Sequence, residues 1–191
     1  MSFNPLGLRF AACALMAAGL LACAPAQPAA LADPELKTLF AELGAAPDAL
    51  SAELIERQIW NRWTLSGSPT VDVLLERASA AEAAGDPQLA RAFLIEAAEL
   101  APDFAEPWSR RAALAYDAQD YQGAILAIEE TLKREPRHFA ALAGLGVIYE
   151  ELGEPRAALA AYRAVLEIHP NFTSAQLSAA RLEVQLSGRD A

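Results

Sequence analysis

The feature that most constrains this chain is a period of 34 residues, which separates Pro102, Pro136 and Pro170 and also Ala90, Ala124 and Ala158. Leu74, Trp108 and Leu142 fall in the same register. So do the small residues Ala78, Ala112 and Gly146 and the large apolar residues Leu94, Ile128 and Tyr162. Short breaks recur at Gly85-Asp86-Pro87, Gln119-Asp120-Tyr121 and Gly153-Glu154-Pro155. A repeat of this length marks a stacked array, in which each unit cannot bury its apolar face alone. Each unit reads as two helices joined by the recurring break. The small residues let antiparallel helices approach closely, and the large ones fill the space beside them. The proline ends the second helix because it cannot donate the next hydrogen bond.

The third unit carries the fullest set: Leu142-x2-Leu145-Gly146-x2-Tyr149, then Ala158-x3-Tyr162, then Pro170. This order of large, large-small, aromatic, alanine, aromatic and proline resembles the tetratricopeptide repeat (TPR). The resemblance covers residues 71–187 and implies an all-α TPR superhelix. Its repeats are 71–104, 105–138 and 139–172, and an amphipathic helix at 173–187 caps the last apolar face. By the same resemblance the first helix of each repeat lines an inner groove that receives segments of other proteins. The residues implied there are Asp72, Leu75, Glu76, Ser79 and Glu82; Glu106, Ser109, Arg110, Ala113 and Tyr116; and Ala140, Ala143, Val147 and Glu150. TPR domains that clamp a peptide C-terminus use Lys and Asn at set places. Leu75/Ser79, Ser109/Ala113 and Ala143/Val147 stand there instead, which argues against chaperone-tail binding.

A narrower resemblance, to a group of exported bacterial TPR proteins, rests on Ser66-Gly67-Ser68, Leu74-Leu75-x-Arg77, Pro102-Asp103-Phe104-Ala105-Glu106-x-Trp108-x-Arg110-Arg111-Ala112 and Glu135-Pro136-Arg137-His138-Phe139. Ser109 departs from that group, where Asn commonly fills the place.

Residues 1–22 read as an export signal. Met1 to Arg9 carries one positive charge, and the uncharged apolar run from Phe10 to Ala22 has thirteen residues, fewer than the roughly 20 that span a bilayer. Leu20-Leu21-Ala22-Cys23 resembles a bacterial lipobox, with cleavage before a lipid-bearing Cys23. Ala24 after the cysteine then implies the outer membrane, with the protein facing the periplasm. The alternative is ordinary cleavage after Ala24-Pro25-Ala26 and a soluble periplasmic protein. Cys13 lies within the signal, so Cys23 would be the only cysteine left and no intrachain disulfide could form. Residues 23–32 read as a Pro/Ala-rich tether. Residues 33–70 read as a helix pair without the repeat signature, containing Trp60 and Trp63, and expected to cover the open face of the first repeat.

The formal charge is −10, and removing residues 1–22 takes away Arg9 and no acid. A chain this acidic offers no patch for a phosphate backbone, so nucleic acid is excluded as a partner and a basic one is favoured. His138 and His169, the two histidines, share no helix face with a metal-ligand partner and read as loop or cap residues. Gly144-Leu145-Gly146 lies within a helix, so it is no nucleotide loop. No catalytic constellation, metal site or cofactor motif is found. Two positions break the repeat pattern: Arg77 and Arg111 stand where the third unit has Leu145. They read either as arginines whose stems pack or whose heads pair internally, or, with Arg110, as a site for a carboxylate-bearing segment. The expected function is that of a non-enzymatic, lipid-anchored periplasmic adaptor for a segment of another envelope protein. A self-assembling protein, joined through Trp60/Trp63 or the C-terminal helix, is the alternative.

Overall fold

A computed structural model describes residues 33–188. The signal, Cys23 and the tether lie outside the described residues. Within them the chain is all helical. α1 (Pro34–Gly44) and α2 (Ala49–Trp63) form the N-terminal pair. The three hairpins are α3 (Pro69–Ala83) with α4 (Pro87–Leu100), α5 (Glu106–Asp117) with α6 (Tyr121–Arg134), and α7 (Phe139–Glu151) with α8 (Pro155–Ile168). α9 (Thr173–Ser187) closes the array. No helix among the described residues is long and apolar enough to cross a membrane.

The helix starts are written locally. Asp48, Asp86 and Asp120 each accept a hydrogen bond from the backbone N–H three residues on, at 2.8, 3.0 and 2.9 Å. These bonds satisfy donors that the first turn leaves free. Inside each hairpin the first helix ends the same way. The N–H of Asp86, Asp120 and Glu154 reaches back to the carbonyl of Ala81, Ala115 and Tyr149. This return needs a left-handed residue just before it. Gly85 (φ 73°), Gln119 (φ 59°) and Gly153 (φ 72°) fill that position at the repeat spacing.

The packing explains the alternation of small and large residues. Ala78 and Leu94, Ala112 and Ile128, and Gly146 and Tyr162 are all buried. The third pair shows why the small partner matters: a Cβ on Gly146 would lie 2.7 Å from Tyr162 Cε1. Where the second helix carries tyrosine, the first has room only for glycine.

The N-terminal pair departs from expectation. It does not simply extend the array ahead of repeat one. Leu36, Leu39, Phe40, Leu43, Ile59 and Trp63 share one core with Phe139, Leu159, Tyr162, Val165 and Leu182 of repeat three and the cap. The pair therefore lies along the edge formed by the loops that join successive repeats. Trp63 stacks on the His138 ring (centroids 4.1 Å apart, planes 4° apart), and its Nε1–H points to Glu135 Oε2 at 3.5 Å. His169 Nε2 meets Glu56 Oε2 at 3.2 Å, and Asn171 Nδ2–H donates to the Ala46 carbonyl. The physical reason is that these loops bury Glu135, His138 and His169. Buried polar groups need partners, and α2 supplies one each to Glu135, through Trp63, and to His169, through Glu56. Trp60 and Trp63 thus serve an internal seam, Trp63 buried and Trp60 half-buried.

Candidate functional site

The inner face is built from α3, α5 and α7. Between α5 and α7 lies a cavity of about 310 Å³. Ser109, Ala113 and Tyr116 line one wall, Ala140, Gly144 and Val147 the other, and Ile128 of α6 contributes to the lining. The walls are made largely of small side chains, so the helices leave space between them. A second cavity of about 390 Å³ continues along α5, sharing Ala113 and reaching Glu82, Arg110 and Asp117. The two adjoin at Ala113 and together are referred to as the inner channel, apolar at the α7 end and charged at the α3 end.

The charged end is organised by Arg110. Its guanidinium donates to the Leu75 carbonyl at 3.0 Å and to Glu82 Oε2 at 2.9 Å, tying α5 to α3. One helical turn before it, Glu106 has an Oε2 sealed from solvent and without a hydrogen-bond partner. Burial raises its carboxyl from 4.5 to about 7; Arg110 opposes the rise and Glu82 adds to it. Arg110 is engaged by Glu82, and the acids that line this end of the channel are Glu82 and Asp117.

The remaining expected groove residues divide. Glu76 is exposed on α3, while the Ser79 hydroxyl donates to the Leu75 carbonyl of its own helix. Ala143 packs at the edge of the main core, one turn from the channel. Glu150 accepts from Tyr162 Oη at 2.9 Å and from Arg181, so it ties α7 to α8 and α9. Asp72 turns to the opposite edge, where it accepts from the Ser66 hydroxyl. Gly144, Ile128 and Asp117 belong to the channel but were not among the expected residues. Gly144 follows Ala140 by one turn, a spacing that puts the two on one face.

The three arginines part company. Arg110 faces the channel. Arg77 is exposed, its guanidinium 5.9 Å from the Phe93 ring centroid. Arg111 lies on the other side of α5, over the Trp108 ring at 4.3 Å. They do not form one site.

A further cavity, of about 640 Å³, lies between the N-terminal pair and the loop at residues 101–105. Most of its charged groups are already engaged: Arg62 with Asp33, Asp72 with Ser66, Arg134 with Glu130, and Glu135 with Arg137. It is the seam beneath the helix pair. Among the described residues, no group of three or more His, Cys, Asp and Glu side chains is placed to hold a metal ion.

A tetratricopeptide-repeat family model matches residues 109–171. A TPR repeat-containing protein of Rhizobium etli is 36% identical over 153 residues, covering 80% of this chain and 75% of that protein. The chain belongs to the TPR family. Solved structures with the same fold include MamA (TM-score 0.57, 23% identity, 83% of this chain and 87% of that one). The Arabidopsis OM64 TPR domain matches with TM-score 0.56 and 23% identity over 61% of this chain and 96% of its own. The first TPR domain of Spaghetti (RPAP3), solved with an HSP90 peptide, matches with TM-score 0.58 and 18% identity over 63% and 95%. This TPR chain is thus a protein–protein interaction scaffold by family, with an inner channel of its own composition.

Proposed function

We propose that this TPR protein is an exported, lipid-anchored adaptor that holds an extended segment of another cell-envelope protein along its inner channel. The observation that carries this reading is the channel itself. Small side chains at Ala113, Ala140 and Gly144 leave room for a partner's apolar side chains, and Glu82 and Asp117 in the adjoining cavity favour a basic group. The favoured occupant is a segment with small apolar residues followed by a lysine or arginine. The Spaghetti domain was solved with the acidic peptide SRMEEVD. The acidic end of the present channel, together with Leu75, Ser79, Ala113 and Val147 in place of a clamp, selects against such a peptide. Nothing in this reading requires catalysis.

The test is partner recovery from cells carrying full-length protein with Val147→Arg, which fills the channel from an exposed position. Loss of one co-purifying envelope protein, with the helical signal unchanged, supports the reading. Unchanged recovery overturns it. Arg110→Glu is the poorer variant, because it also breaks the link between α3 and α5. A second reading, self-association, is favoured by α9, where Leu177 and Val184 are 69% and 74% exposed on one helix. Sedimentation across a concentration series separates the two: a monomer throughout excludes it.

A further inference from the structure

The side of α5 opposite the channel carries a second arrangement. Between α4 and α6, with α5 as its floor, lies a cavity of about 270 Å³ bordered by Arg91, Arg111, Trp108, Leu126 and Lys133. Trp108 is fixed from one flank by Arg134, whose guanidinium lies 4.7 Å from the ring centroid and also binds Glu130 and the Pro102 carbonyl. Arg111 stacks on the same ring. A guanidinium spread over an indole is oriented, and its donor fork remains free along its edge.

Arg91 and Arg111 are close enough to repel, and neither makes an ion pair or hydrogen bond with a described residue. Burial and the Arg91 charge both push the Arg111 guanidinium below its usual value, and Glu130 opposes them. The nearby acids do not relieve the pair. Glu130 is bound to Lys133 and Arg134, Asp120 caps Gly123, and Glu129 is exposed and pairs with neither arginine. The Trp108 Nε1–H is also buried without an acceptor. Two like charges held together, half-buried and unpaired, are a receptor waiting for an anion.

We propose that Arg91 and Arg111, the latter stacked on Trp108, form a carboxylate-binding site on the outer face for an acidic side chain of a partner protein. The planar fork matches a carboxylate in two-point fashion. A dianionic phosphate is disfavoured by the three acids around the rim. Leu126, 54% exposed at the mouth, gives an apolar neighbour that a protein segment covers and a free small anion does not. The site is independent of the inner channel, because its residues occupy the opposite side of α5.

The experiment is indole and guanidinium N–H nuclear magnetic resonance on the mature protein, with Trp108→Phe used for assignment. The probes are acetyl-Leu-Glu-Leu-amide, its Gln counterpart, acetate and inorganic phosphate. The expected result is a saturable shift of the Trp108 and Arg111 N–H signals by the Glu peptide, with Kd on the order of 1 mM and Trp60 and Trp63 unmoved. The Gln peptide leaves the signals in place. Arg111→Lys, which keeps the charge but loses the fork, weakens binding by about tenfold or more, and Arg91→Gln does the same. No response to the Glu peptide, or binding that survives both substitutions, overturns the site. An equal response to phosphate overturns the carboxylate preference, and an equal response to acetate overturns the protein-segment source.

Discussion

Glu106→Gln should stabilise this protein at pH 8 and do so much less at pH 5. Glu106 has its carboxyl held at about 7 instead of 4.5, because burial penalises the charged form and Glu82 adds repulsion that Arg110 only partly offsets. The folded state therefore binds this proton more tightly than the unfolded chain. Its stabilising effect is full below 4.5 and is lost as the pH rises through about 7. The interval from 4.5 to about 7, at about 1.4 kcal/mol per pH unit, corresponds to about 3.5 kcal/mol. Losing a negative charge from the first turn of α5 costs about 0.3–1 kcal/mol. The expected gain for Glu106→Gln at pH 8 is then about 3 kcal/mol. Denaturant unfolding followed by circular dichroism at pH 5, 6, 7 and 8 measures it, comparing variant with parent at each pH so that other groups cancel. A flat difference across this range, or a variant less stable than the parent at pH 8, would refute the reasoning.

Other substitutions separate packing from binding. Gly146→Ala drives a methyl into the buried Tyr162 ring and should cost about 1–3 kcal/mol. Gly144→Ala meets only Ile128 Cδ1 at 3.8 Å, so it should stabilise by about 0.5–1 kcal/mol through the helix backbone while weakening partner capture, since it narrows the channel; both are read by thermal unfolding and co-purification. Trp63→Ala removes the stack on His138 and the donor to Glu135 and should cost about 3–5 kcal/mol, with α1 and α2 becoming sensitive to limited proteolysis ahead of the repeats. Burial holds His138 down at about 4, so its neutral form supports the fold above 6.5, and that support is lost as pH falls through about 4; tryptophan fluorescence between pH 7 and 4 should report opening of the Trp63 seam in acid.

The repeats were legible because stacking imposes a period on residue size, and Ala78, Ala112 and Gly146 keep it. The turns were legible for a similar reason: Gly85, Gln119 and Gly153 all meet the same left-handed requirement. The site of the N-terminal pair was not legible. Its partners, His138, Phe139 and Val165, lie 70 residues or more from much of α1 and α2, and no local pattern records that contact. Arg110 and Arg111 are adjacent in sequence yet point into different cavities, because about 100° separates successive helical residues. That Glu150 would be claimed by Tyr162 and Arg181 depends on where α9 docks, again beyond any single repeat.

The central claim is that the inner channel holds another protein's segment. A photo-crosslinking residue placed at Tyr116, in the channel, and separately at Leu89, exposed on α4, tests it in cells. The account predicts one dominant envelope protein crosslinked from position 116, through a stretch of small apolar residues bearing a lysine or arginine, and not from position 89. The same product from both positions, or only the protein itself from position 116, would contradict it.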